Sequence, residues 1–178
     1  MKDIKKLRAY VKGKKLPKYK FLGKANSKWL NDMRIFNMSI SDTYDPGKYR
    51  KEIEGLEIST YDKLLTYYAQ KQNITVELDI ILQQFEGISH QRFAILKKYK
   101  TLPMHLDNPN TLRLVSIIHG SQTLLFEDND AIDMLTGDIY FLNGCYKHSV
   151  INKINTDRIA FLCNCSNNEY NKTRLFNS

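Results

Sequence analysis

Eight short apolar segments, separated by turn residues, occupy the part of the chain that follows residue 90. Apolar and polar residues alternate within them, which is the period of a half-buried strand and not that of a helix. The predicted strands are 91–98, 103–107, 111–119, 122–127, 131–135, 138–142, 146–151 and 158–164. Turn sequences such as Asn108-Pro109-Asn110 and Asn143-Gly144 lie between them. This spacing predicts an antiparallel sandwich or barrel and argues against a parallel sheet of βαβ units.

Two helices are predicted before the strands. Ser59 and Asp62 resemble a capping box ahead of an apolar stretch, which predicts a helix near 60–71. A second helix is predicted to begin at Asn73 or Thr75 and to end at Gly87. A pair of helices cannot bury its apolar faces alone, so both are expected to pack on one face of the sheet.

The basic charge of the chain is concentrated at its N-terminus. Residues 1–24 contain ten basic residues and one acidic residue, a net of +9, whereas the whole 178-residue chain carries +8. We therefore expect a basic N-terminal arm over 1–24 and a single domain over 25–178, with helical support at 25–88 and a β core at 89–165. The arm either contacts nucleic acid, the ribosome or another polyanion, or is a solvated terminus.

The sequence also bears on the compartment. Three cysteines are too few for a disulfide framework, so reduced thiols in a cytoplasmic protein are expected. No apolar run approaches the roughly 18 residues of a membrane span. The charged residues 1–6 are not followed by an apolar region, so no secretory signal is expected.

Four residues between 105 and 158 form a pattern that suits a metal site. His105 and Asp107 are two residues apart, so on a strand both side chains point to one face. His148, on a later strand, would complete a set of two imidazoles and one carboxylate, which is the ligand set of non-haem Fe(II) oxygenases. Arg158 opens an otherwise apolar strand, where an inward guanidinium would bind the free carboxylate of an iron-chelating 2-oxo acid.

Residues 88–165 resemble the Fe(II)- and 2-oxoglutarate-dependent oxygenases, and most closely their aspartyl/asparaginyl β-hydroxylase-like branch. The segments that carry the resemblance are Arg92–Leu96, Leu102–Asp107, Leu112–Leu114, Leu135–Asp138, His148–Asn152 and Asp157–Ile159. One departure is Ala160, because many members have Ser two residues after the co-substrate arginine.

The resemblance implies a mainly β protein with supporting helices and a double-stranded β-helix core of the jelly-roll or cupin-like kind. It implies that His105, Asp107 and His148 bind Fe(II) and that Arg158 binds the distal carboxylate of 2-oxoglutarate. Arg113 would be a second basic residue that faces the co-substrate or substrate. The implied reaction uses O₂ to hydroxylate an unactivated C–H bond of an amino-acid, peptide or protein substrate.

Two other functions remain open from the sequence. The first is a cupin-type metalloprotein or small-ligand-binding β-barrel that does not use 2-oxoglutarate. Gly137 and the spacing from His148 to Asn152 are compatible with it, although Asp107 stands where a cupin's first motif has its second His. The second is a non-enzymatic module in which the basic arm binds a polyanion.

Overall fold

The computed structural model describes residues 2–13, 15–25, 64–68 and 76–176. Its helices are α1 (Lys2–Gly13), α2 (Val76–Leu82) and α3 (Glu169–Phe176). No helix in these ranges has both the length and the apolar character needed to cross a membrane. The strands are β1 (Tyr19–Lys24), β2 (Leu64–Tyr68), β3 (Ser89–Leu96), β4 (Thr101–His105), β5 (Thr111–His119), β6 (Ser121–Phe126), β7 (Ala131–Leu135), β8 (Asp138–Asn143), β9 (His148–Ile151) and β10 (Arg158–Ser166).

The strands form two antiparallel sheets. The six-stranded sheet has the order β1-β8-β5-β10-β3-β2, and the four-stranded sheet has the order β4-β9-β6-β7. From β3 to β10 the chain passes from one sheet to the other at every connection except the β6–β7 hairpin. This topology is that of a double-stranded β-helix, or jelly roll, so the predicted fold class is confirmed.

Two apolar clusters stabilise the fold. The inner cluster fills the space between the sheets and draws on both of them, for example through Val115 and Ala160 of one and Leu124 and Val150 of the other. The outer cluster joins the far face of the six-stranded sheet to residues of α2 and α3. Alternation along β10 explains the division, because Ala160 belongs to the inner cluster and its neighbours 159 and 161 belong to the outer one.

The prediction of a helix near 60–71 is wrong over Leu64–Tyr68, which form β2, and the rest of that range lies outside the described residues. Leu-Leu-Thr-Tyr-Tyr has the β-branched and aromatic content of a strand, and it pairs with β3 at the sheet edge. The second predicted helix is confirmed over Val76–Leu82. Helix α3 was not predicted.

Part of the basic N-terminal segment belongs to the sheet. Strand β1 pairs with β8, with an irregularity between Phe21 and Gly23. Lys18 forms ion pairs with Asp128 and with Asp130 of the β6–β7 turn. The division into an arm over 1–24 and a domain over 25–178 stays a prediction.

Candidate metal centre

Strand pairing brings the three predicted metal ligands together. His105 ends β4 and His148 begins β9, and the two residues are partners in the antiparallel register of these strands. Their ring centroids lie 4.5 Å apart. Asp107 follows β4 by two residues, so its carboxylate lies beside both imidazoles.

The donor atoms converge in a buried space. The distances from the Asp107 carboxylate oxygens are 3.9 Å to His105 Nε2 and 3.7 Å to His148 Nε2. One ligand atom from each of the three residues lies within 4.8 Å of the other two. All three residues are at most 3% exposed.

Backbone carbonyls fix the orientation of both imidazoles. His105 Nδ1 lies 2.7 Å from the carbonyl oxygen of Pro103, and His148 Nδ1 lies 3.0 Å from that of Tyr146. A carbonyl oxygen only accepts hydrogen bonds, so each Nδ1 carries the proton and donates it. Each Nε2 then faces Asp107, where in the neutral imidazole it carries the lone pair that a metal ion requires.

His105 and Asp107 have the protonation states that metal binding requires. Burial, followed by the effect of His148, lowers the pKa of His105 to about 4, so this imidazole is neutral at pH 7. Burial raises the pKa of Asp107, but nearby Arg113, His148 and His105 outweigh it and lower this pKa to about 2. Asp107 is therefore ionised at neutral pH.

The three side chains fit a single divalent ion. Metal–ligand bonds of about 2.1 Å place neighbouring donors about 3 Å apart at right angles. The observed separations of 3.7 and 3.9 Å are less than 1 Å wider than this. Two imidazoles and one carboxylate suit Fe(II) and other borderline divalent ions.

Arg113 lies beside the predicted ligands. It is on β5, and its Nη1 forms an ion pair of 2.7 Å with Asp107 Oδ2. Its Nε donates to Asn164 Oδ1 on the neighbouring strand at 3.4 Å. Arg113 therefore orients the carboxylate, and its predicted contact with a co-substrate or substrate stays a prediction.

Arg158 occupies a different part of the barrel. It begins β10, six residues before Asn164, which corresponds to about 20 Å of strand at about 3.3 Å per residue. The side chain is 3% exposed and donates from Nη1 to the Ala94 carbonyl oxygen at 3.1 Å. Its Nε has no hydrogen-bond partner within the described ranges, and burial lowers its pKa to about 10.

Sequence reasoning missed three polar residues near Arg113. Arg92, on β3, is 5% exposed and donates to the His90 carbonyl oxygen at 2.7 Å. His90 has a φ of +56° at a register irregularity between β3 and β10, and its Nδ1 lies 3.5 Å from Asn164 Nδ2. Alternation along the strands could have identified two of them. Arg92 is on the same face of β3 as Leu96, and Asn164 is on the same face of β10 as Ala160, and both faces point to the interior.

No protein-family model matches this chain, and no curated protein sequence matches it. Several solved structures are similar in fold. A predicted oxalate decarboxylase from Thermotoga maritima is 13% identical over 58% of this chain and 80% of the other, with a TM-score of 0.43. Salicylate 1,2-dioxygenase from Pseudaminobacter salicylatoxidans is 7% identical over 58% of this chain and 26% of the other, with a TM-score of 0.42.

A third similar structure is a sugar phosphate isomerase of the cupin superfamily from Silicibacter pomeroyi. It is 13% identical over 60% of this chain and 62% of the other, with a TM-score of 0.40. Similarities at this level do not assign an activity to the chain.

Proposed function

We propose that this chain is a metal-dependent oxygenase of the cupin type. It would hold one divalent ion, expected to be Fe(II), through His105, Asp107 and His148. The observation that carries the proposal is the convergence of three buried donor groups, within which both imidazoles are held with Nε2 toward Asp107. No 2-oxoglutarate is required by this form of the proposal.

The donor set favours redox chemistry over a purely structural ion. Two imidazoles and one carboxylate occupy three positions of an octahedral ion, so a bound Fe(II) would offer open positions and one-electron chemistry toward O₂ and a substrate. The part of the protein is to hold the ligands, fix the two imidazole tautomers and exclude water. The ring of Phe126, 6.2 Å from that of His148, and the inner apolar cluster supply the dry surroundings.

The second candidate is a 2-oxoglutarate-dependent hydroxylase. The observation in its favour is the buried Arg158 guanidinium, whose Nε lacks a hydrogen-bond partner in the part of the chain that the structure describes. A buried cation is costly without an anion, and the distal carboxylate of 2-oxoglutarate would accept a charge-assisted pair of hydrogen bonds from it. The observation against this candidate is that Arg158 lies about 20 Å of strand from Asn164, which is paired with Arg113 beside the metal ligands. An amino-acid, peptide or protein side chain as substrate follows from the sequence resemblance alone.

Anaerobic titration with Fe(II), with and without 2-oxoglutarate, tests both candidates. Fe(II) binding without a spectral response to 2-oxoglutarate supports the cupin-type proposal and contradicts the second candidate. A new metal-to-ligand charge-transfer band, with succinate formed after O₂ is admitted, supports the second candidate. A wild-type protein that does not bind Fe(II) contradicts both.

A pair of arginine variants tests whether Arg158 binds 2-oxoglutarate. If Arg158 binds 2-oxoglutarate, Arg158→Gln should keep Fe(II) affinity and lose about 30-fold or more in 2-oxoglutarate affinity, since removal of a buried charge-assisted pair costs about 2–5 kcal/mol. Arg174→Gln, at an exposed position of α3, is the matched control and should change neither affinity. Unchanged 2-oxoglutarate affinity in Arg158→Gln would reassign Arg158 to a structural role.

Contact with a polyanion is a separate proposal. Helix α1 and the residues after it expose Lys5, Arg8, Lys12 and Lys15. These cations would attract nucleic acid or another polyanion, and such binding would weaken steeply with salt.

A further inference from the structure

The end of β8 and the loop that follows it (residues 143–147) contact both the candidate metal ligands and the N-terminal connection. We use "N-terminal connection" for Gly13 and 15–18, which join α1 to β1. This contact was not expected, because the sequence suggested that the basic N-terminus was an arm separate from the catalytic part.

Two side chains hold the carbonyl groups of the N-terminal connection. Asn143 Nδ2 donates to the carbonyl oxygens of Gly13 at 2.8 Å and Pro17 at 3.3 Å. The hydroxyl of Tyr146 donates to the carbonyl oxygen of Leu16 at 3.1 Å. Asn143 is 2% exposed, so its two bonds are made in a dry environment and leave little freedom to the connection.

The same two residues also connect this loop to a candidate metal ligand, His148. The carbonyl oxygen of Tyr146 accepts the Nδ1–H of His148, and the backbone N–H of Tyr146 donates to the Asn143 carbonyl oxygen at 3.2 Å. Gly144 lies against Asp107, where an added Cβ would be 2.7 Å from the Asp107 Cβ. A displacement of Tyr146 would therefore move the acceptor that sets the tautomer and direction of His148.

Helix α1 is seated on this loop through Gly13. A Cβ added to Gly13 would overlap Sγ of Cys145, whose residue is 1% exposed. The Cys145 thiol also lies 4.0 Å from the Ala9 carbonyl oxygen of α1. Undocking of α1 would expose Cys145, so this thiol reports on the seating of the helix.

We infer that Asn143 and Tyr146 are positioning residues of the candidate metal centre, and that seating of the N-terminal connection is coupled to metal binding at His148. The inference rests on the proposed metal site. Coupling is reciprocal: if seating the connection favours metal binding, a bound metal must favour the seated connection by the same factor. The N-terminus would then be a functional part of the site.

Co(II) titration of Tyr146→Phe tests the positioning role. The variant keeps the carbonyl that binds His148 and loses the hydroxyl bond to Leu16. Metal affinity should fall about 10-fold, as for other groups that orient a metal ligand, with an altered Co(II) absorption spectrum. Tyr140→Phe, a half-buried tyrosine of β8 that packs against Tyr19 and Phe21, is the matched control and should leave both unchanged.

A second pair of variants tests the seating of α1. Gly13→Ala should weaken Co(II) binding about 10-fold, because the new Cβ cannot share the space of the Cys145 thiol. Adding Cys145→Ala removes the thiol and should restore most of the affinity. Wild-type affinity in Gly13→Ala, or a double variant as weak as the single one, would overturn the coupling.

The rate of Cys145 modification by a thiol reagent, followed by mass spectrometry, provides a readout that does not depend on activity. Bound Co(II) should slow modification of the wild type, whereas Tyr146→Phe and Gly13→Ala should speed it without metal. Equal rates in all these samples would refute the inference. Failure of the wild type to bind Co(II) refutes the proposed function as well, whereas wild-type binding with unchanged variants refutes this inference alone.

Discussion

The chemistry of the candidate centre depends first on the charge of Asp107. This carboxylate is 1% exposed, and burial alone would favour its neutral form. The guanidinium of Arg113, 2.7 Å away, is the main reason that the pKa of Asp107 is low. The apo site is thereby kept in the form that binds a cation, so no proton has to leave Asp107 or His105 when a metal enters at neutral pH.

Buried His105 should make the metal-free protein sensitive to acid. Its pKa of about 4 in the folded state lies below the value of about 6.5 in an unfolded chain, so the unfolded state binds more protons between these values. The contribution of neutral His105 to the free energy of unfolding is fully present above pH 6.5 and is lost as the pH falls toward 4. The loss amounts to about 3 kcal/mol.

Urea unfolding of chelator-treated protein at pH 7 and pH 4.5 measures this effect. His105→Gln should show a smaller difference in unfolding free energy between the two pH values than the wild type. His119→Gln, at a half-buried strand end, serves as the control for the removal of a histidine. The same pH dependence in His105→Gln and wild type would contradict the assignment of a buried neutral imidazole.

At the scale of elements, alternation and turn residues predicted the β core well. The bounds of Thr111–His119 and Ala131–Leu135 are those predicted, and the other core strands differ by a few residues at their ends. Strand β2 was missed because its local pattern also suits a capped helix, and pairing with β3 decides between the two. Strand β1 was not predicted because it contains lysines, and the charged side chains of an edge strand resemble those of a solvated terminus.

The connection from β9 to β10 depends on one side chain. Asn152 Nδ2 lies within 3.2 Å of the carbonyl oxygens of Leu96, Lys97 and Thr156, and Asn152 is 1% exposed. Asn152→Ala leaves these carbonyls without their donor, which should lower the free energy of unfolding by about 1–3 kcal/mol. Metal affinity should not change, because Asn152 lies beyond the end of β9 opposite His148.

Denaturant unfolding together with Co(II) titration checks this separation of stability from binding. Asn155→Ala, which alters an exposed asparagine of the same connection, should behave as wild type in both measurements. A stable Asn152→Ala protein would show that the three carbonyls find other donors. A loss of metal affinity in a folded Asn152→Ala protein would show that the two ends of β9 are coupled.

At the scale of the molecule, the sequence predicted which residues would meet but not everything that surrounds them. The two-residue spacing of His105 and Asp107 places both side chains on one face of an extended segment. The pairing of β4 with β9, which puts His148 opposite His105, does not follow from that spacing, and the sequence suggested it only through the family resemblance. The position of Arg158 along the barrel is set by the register of β10 against β3 and β5, which the sequence does not reveal. The contact between the N-terminal connection and residues 143–147 joins segments about 130 residues apart, a separation for which no local pattern exists.

The central claim is that His105, Asp107 and His148 bind one metal ion, and Co(II) titration of wild-type, His148→Ala and His119→Ala proteins tests it most directly. The wild type and His119→Ala should each bind one equivalent of Co(II) with the same affinity and the same spectrum. His148→Ala should fold and lose tight binding. A wild type that binds no Co(II), or a His148→Ala protein that binds it as the wild type does, would contradict the account.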